Sequence, residues 1–256
     1  MTTAEPSRLD LVRDSFSDRP AFGAAVSRAI LQRVASGELP PTVRLHRTPR
    51  ILAFGRHDAA SPGFADAVRA ARATGFEPIV RVAGGRAAVY HEGTIALSRT
   101  IPDQRPAART HTRFEELADL IATGLRRLGI DARVGEVPGE YCPGAWSVNA
   151  RGRSKLVGIG QRIIAGGAHL GVVLVVRNGD LVREALVPVY DALGLEWDPA
   201  TAGSVEDELG GAELATVEEA ILRELAGTGH ELVEANVDAE TLALAERLVD
   251  AHRADG

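Results

Sequence analysis

The sequence predicts an α+β fold in which a sheet is flanked by helices, and three observations carry that reading. Apolar residues recur with the two-residue period of strands through the middle of the chain and with the 3.6-residue period of amphipathic helices toward both ends. Strand and helix signals are segregated, which points to α+β rather than to regularly alternating βαβ units. With 256 residues, 45% hydrophobic and 25% charged, the chain is long enough to bury one large core, with or without a small extension.

Residues 21–34 carry the first helical period. Residues 42–46 and 50–54 read as short strands separated by the Thr48-Pro49 turn, and residues 63–74 as a second helix. Residues 78–82 form an apolar strand running into Ala83-Gly84-Gly85-Arg86, with further strands over 87–90 and 94–98. Thr112 and Glu115 have capping-box spacing and predict a helix start that runs to Gly129. Residues 145–149 and 155–164 predict a hairpin turned at 150–153, and Gly166-Gly167 leads into the most apolar strand, 169–176. The remainder reads as mostly helical: a helix closing at 191–194, a linker at Trp197-Asp198-Pro199, a second capping box at Thr216 and Glu219, and a last helix capped by Asp238. The expected organisation is one domain over 1–203 and a helical extension over 204–256 packed on it.

The net charge of −6 argues against a general nucleic-acid binder, although clustered arginines can still make a local anion site. No apolar run approaches the length of about 18 residues that a membrane helix needs, and the first eight residues lack a basic segment leading into an apolar one. The expectation is a cytoplasmic protein without a membrane partner. A lone cysteine cannot form an internal disulfide or a cysteine-cluster metal site, so no metal is expected.

Three stretches can carry chemistry. Arg81-Val82-Ala83-Gly84-Gly85-Arg86-Ala87 combines adjacent glycines, which let backbone approach a ligand, with arginines that fork onto anionic oxygens. It matches neither a phosphate loop nor a dinucleotide fingerprint. Gly139-Glu140-Tyr141-Cys142-Pro143-Gly144 places the only cysteine on a loop stiffened by proline. A free thiol is only about 3% ionised at pH 7, so a nucleophile here needs a nearby cation or base; Lys155, Arg162 and His91 are the candidates. In Ser154-Lys155-Leu156-Val157-Gly158-Ile159-Gly160-Gln161-Arg162, strict alternation puts Lys155, Val157, Ile159 and Gln161 on one face and the glycines on the other. Lys155 is the only lysine; every other member of the 29 lysine-plus-arginine residues is arginine. Such a bias suits a site that uses a compact ammonium where a guanidinium does not fit.

In that order and spacing the three stretches, with Thr48 through Arg56 ahead of them, resemble the lipoate-protein ligase and octanoyltransferase superfamily over roughly residues 20–200. The resemblance implies the catalytic fold shared with biotin-protein ligases, a central mixed and largely antiparallel sheet flanked by helices. It gives Lys155 the role of the lysine that contacts the acyl carbonyl, places Gly84, Gly85 and Gly158 along the acyl tunnel, and makes Arg81, Arg86, His91, Gln161 and Arg162 substrate-binding candidates. Cys142-Pro143-Gly144 is most similar to the cysteine-dependent branch, which moves octanoyl or lipoyl groups from the glycine cleavage H protein to lipoyl domains of 2-oxoacid dehydrogenase E2 subunits. A related branch takes octanoate from acyl carrier protein. ATP-dependent ligases of the superfamily commonly carry His-His-Gly where this chain has Ala168-His169-Leu170-Gly171, and Ser147 stands where the cysteine branch has an acidic residue.

The reaction so implied needs no cofactor: a Cys142 thiolate forms an acyl thioester, and Lys155 stabilises the oxyanion of each half-reaction. The acceptor amine must also lose a proton, and the base is not legible, with His91 one candidate. The competing readings are an ATP-dependent lipoate ligase in which Cys142 is idle, and an acyl or adenylate sensor that binds without transfer.

Overall fold

The computed structural model describes residues 7–255. The initial Met-Thr-Thr-Ala-Glu-Pro, part of the stretch read for a leader, lies outside the described residues. No helix among those described is long and apolar enough to cross a membrane.

The chain opens with strand β1 (Ser7–Val12) and helix α1 (Pro20–Ser36). Pro20 sits in the first helical turn, where its missing N–H costs nothing, and Gly37 closes the helix at φ +83°. Strands β2 (Thr42–His46) and β3 (Ile51–Phe54), helices α2 (Arg56–Ala59) and α3 (Phe64–Ala73), and strands β4 (Glu77–Val80), β5 (Ala88–Tyr90) and β6 (Thr94–Pro102) follow. Helix α4 (Thr110–Arg127) leads to β7 (Ala132–Val134), β8 (Val148–Ala150), β9 (Ser154–Ile164) and β10 (Gly167–Val175). The C-terminal part holds α5 (Gly179–Ala192), α6 (Val205–Leu209), α7 (Leu214–Ala226), β11 (His230–Ala235) and α8 (Ala239–Leu248).

Eight strands form one mixed sheet in the order β11-β1-β2-β6-β10-β9-β8-β7, and β4-β3-β5 form a second, smaller one. Only β11-β1 and β1-β2 are parallel in the large sheet, so the expected largely antiparallel α+β architecture is what forms. Leu117, Ile121 and Leu125 of α4 and Val217, Ile221 and Leu225 of α7 pack on one face. The other face carries α1, against which α8 packs through Ala245, and the small sheet with α3 and α5. Gly84 N donates to Gln161 O at 3.1 Å and thereby docks the small sheet's loop onto β9.

Several local expectations are corrected. Neither capping box forms. Helix α4 begins at Thr110 behind Arg109, and α7 at Leu214 behind Glu213, both without a side-chain cap. Packing of each apolar stripe, rather than the local hydrogen bond, sets those boundaries. Asp238 does cap α8, accepting from Thr241 N at 2.7 Å. The segment after residue 203 is not purely helical, because β11 pairs along the whole of β1, a non-local partner that no local signal advertises. The strict alternation assumed for β9 also fails. Lys155 pairs with Asn149 and Val157 with Val148, so Leu156 is an extra residue at a bulge. The bulge swings Lys155 onto the glycine face, where a Cβ added to Gly158 would lie 3.6 Å from Lys155 Cε.

Candidate active site

The loop of residues 139–147 is built around a buried carboxylate. Glu140 is 3% exposed. Its Oε2 accepts from Val137 N at 3.0 Å, and its Oε1 accepts from Gly144 N at 3.2 Å, Ser147 Oγ at 2.5 Å and Lys155 Nζ at 2.9 Å. Lys155, 1% exposed, donates further to Tyr141 O at 2.9 Å and Cys142 O at 2.8 Å. All three ammonium protons are thus committed, two of them to the backbone that carries the cysteine. Ser147, at the position where the resemblance implies an acidic residue, instead donates to the carboxylate of Glu140.

Cys142 itself adopts φ +45°, a left-handed conformation rare for a residue with a Cβ. Tertiary bonds hold it there: Lys155 on its carbonyl, and Tyr190 Oη accepting from its N–H at 2.9 Å. Burial, with Cys142 nearby, pushes the Tyr190 phenol well above its ordinary range, so it keeps the proton it donates to Ala87 O at 3.1 Å. This conformation turns Sγ toward the glycine loop. The Arg86 N–H donates to Sγ at 3.1 Å, and Arg81 Nη2 lies 3.7 Å from it. Arg81 is tied to Arg86 O at 2.7 Å; burial lowers its pKa, but Cys142 and Tyr90 hold the net value above the ordinary one, and it stays a cation.

The cation at the thiol is therefore Arg81, not one of the three candidates proposed from sequence. Lys155 reaches the backbone of Cys142 rather than its sulfur. His91 lies outside the cavity; its Nδ1 accepts from Gly93 N at 3.0 Å, and burial drops its pKa to about 4, so it is neutral at pH 7. Arg162 lines a different cavity. Gly85 explains the glycine pair: at φ +103°, a Cβ there would strike the Arg81 guanidinium and come within 2.9 Å of Cys142 Sγ.

Thiol, Arg81 and Lys155 open into a cavity of about 350 Å3 between the cysteine loop and β9. Gly84, Gly85, Gly158 and Gly160 keep its floor thin, and Phe114 and Trp146, stacked at 5.0 Å and 12°, close one side. Its lining is mostly apolar with few polar groups, the character of a small-molecule binding site. Gln161 lines it as well, but its amide is spent on Thr110 O at 3.1 Å and on Arg113 Nε at 2.7 Å, an anchor for the start of α4. Arg86 does not line the cavity; its N–H is given to Cys142 Sγ, and its guanidinium pairs with the buried Asp58 at 3.2 Å. The residues that sequence reasoning missed are Glu140, Tyr190 and the Phe114–Trp146 wall. Only Glu140 left a signal, as the one acidic side chain inside the glycine-flanked cysteine stretch.

Residues 19–226 match the lipoyl protein ligase A/B catalytic domain. The chain belongs to this family. Among curated relatives of this lipoyl protein ligase A/B protein, an octanoyl-GcvH:protein N-octanoyltransferase of Geobacillus kaustophilus is 28% identical over 179 residues, 68% of this chain and 63% of that one. One of the same name from Anoxybacillus flavithermus is 32% identical over 176 residues, 67% and 63% of the two chains. The match thus spans about 63% of those relatives' length. A crystal structure of lipoate-protein ligase A bound with ATP superposes with TM-score 0.77 at 18% identity, covering 96% of this chain and 94% of that one, a likeness of fold.

Proposed function

We propose that this protein is an acyltransferase that moves an octanoyl or lipoyl group onto a lysine of a lipoyl carrier domain through a thioester on Cys142. The carrying observation is the sulfur itself: on the wall of a largely apolar cavity it accepts the Arg86 N–H and faces Arg81. Both contacts stabilise negative charge on sulfur, which an idle structural cysteine does not need. The names of the curated relatives support transfer of an octanoyl group from an octanoylated GcvH to protein.

In the first half-reaction Sγ bonds to the acyl carbonyl carbon while the donor's nitrogen or sulfur leaves, taking up a proton. In the second, the acceptor amine attacks the thioester carbon, a C–N bond replaces C–S, and the amine proton goes to the departing sulfur or to solvent. Lys155 acts here chiefly as a positioning residue, because its protons already hold Glu140 and the Tyr141 and Cys142 carbonyls. Donor and acceptor are the lipoyl carriers, the glycine cleavage H protein and E2 subunits, with acyl carrier protein as the other donor class. Residues 1–203 carry the chemistry, 204–256 brace it, and the reaction takes place in the cytoplasm.

The test is intact mass spectrometry after incubation with octanoylated carrier in the absence of ATP. One added octanoyl group, removable by hydroxylamine and absent from Cys142→Ser, is the expected result. An unmodified protein that acylates carriers only when supplied with free acid and ATP overturns the proposal.

A further inference from the structure

Arg81 also lines a second, more enclosed cavity of about 70 Å3. Its other polar walls are Arg28 and Gln32 of α1, Arg56 of α2, Arg162 of β9 and His252 of the C-terminal segment, and no carboxylate among the described residues lines it. Among the described residues Arg28, Arg56 and Arg162 make no ion pair, although the protein is acidic overall and most of its arginines are paired. His252, 3% exposed, has its Nδ1 on Val80 O at 2.7 Å, and its buried Nε2 has no partner among the described residues.

Arginines brought together from α1, α2, β9 and the loop after β4 repel one another, and no carboxylate among the described residues of the cavity offsets that repulsion. Burial, then Arg56 and Arg28, push Arg162 below its ordinary range; burial, then Arg28 and Arg56, do the same to His252 despite its bond to Val80. A dianion adds an attraction to each arginine that offsets their mutual repulsion, and it favours a proton on His252 Nε2, which donates to the anion once Nδ1–H is spent on Val80 O. Arginine forks match the oxygens of a tetrahedral oxyanion, and the small enclosed volume suits a compact group better than the acidic face of a carrier protein.

We infer that Arg28, Arg56, Arg162 and His252 form a binding site for a phosphate group, separate from the thiol cavity and joined to it only through Arg81. The inference does not rest on acyl transfer, because binding is read without any reaction. The experiment is calorimetric titration of the full chain, at constant ionic strength, with inorganic phosphate and with pantetheine 4′-phosphate. Saturable one-to-one binding is expected, weakened at least about tenfold in Arg162→Gln and in Arg56→Gln, the scale of losing one charged hydrogen bond. Arg56 is exposed, so its variant tests the site without threatening the fold. Tighter binding of pantetheine 4′-phosphate than of inorganic phosphate assigns the site to the phosphate of a larger ligand, and the reverse assigns it to free phosphate. No saturable binding of either probe, or binding unchanged in both variants, overturns the inference.

Discussion

Lys155 Nζ stands 2.8 Å from the carbonyl oxygen of Cys142 and 2.9 Å from Glu140 Oε1, so the only lysine grips the backbone of the only cysteine rather than its sulfur. The pair is buried on both sides. A point charge with three tetrahedral donors fits those acceptors; a planar fork does not.

Removing the lysine charge alone therefore leaves an unpaired buried carboxylate. Lys155→Met is expected to lose about 3–5 kcal/mol of stability as well as transfer activity. In Lys155→Met/Glu140→Gln most of that stability returns while activity does not. Urea midpoints of the wild type, both single variants and the double variant check this, and additive losses would show that the two residues act independently.

The thiol should respond to Arg81 and not directly to Lys155. Arg81→Gln removes the cation 3.7 Å from Sγ, and alkylation by iodoacetamide at neutral pH is expected to slow by about tenfold, with the fold retained. An unchanged alkylation rate would leave the Arg86 N–H as the sole group acting on the sulfur.

Gly85→Ala tests the close approach of loop and thiol. The new methyl group meets Arg81 and Cys142 Sγ in a backbone conformation that alanine resists. Transfer is expected to fall at least about a hundredfold, the usual scale for losing one aligned charge-stabilising contact. The melting temperature should also fall by several degrees, because alanine in this left-handed conformation is strained by about 1–3 kcal/mol.

Stability should also decline below neutral pH through a buried histidine. His169 lies in the sheet with Nδ1 2.9 Å from Thr100 Oγ1, and burial lowers its pKa from 6.5 to about 4. Between those values the unfolded chain binds the extra proton, so stability is fully present above about pH 6.5 and is lost as pH falls toward about 4. The shift corresponds to roughly 3 kcal/mol at its limit. Urea midpoints measured from pH 7 to pH 4 should fall less steeply in His169→Asn than in the wild type.

The sequence by itself determined the fold class, the family and the pairing of Cys142 with Lys155 in one stretch. Strand alternation, the hairpin over 148–164 and the glycine-flanked loops are all local signals, and local signals are what a sequence carries openly. What only the tertiary structure decided is which charge meets which atom. A single bulge at Leu156 reversed the face of Lys155, and a left-handed φ at Cys142 turned its sulfur away from the lysine and toward Arg81, 61 positions earlier. His91, next to the loop in sequence, was carried out of the cavity by its own turn, while Tyr190 arrived from 48 residues away to hold the Cys142 amide. Those relations depend on contacts between distant segments and on backbone angles at one or two residues. Periodicity and motif spacing do not encode either, because a one-residue shift of register or one inverted φ leaves the pattern of residue types unchanged.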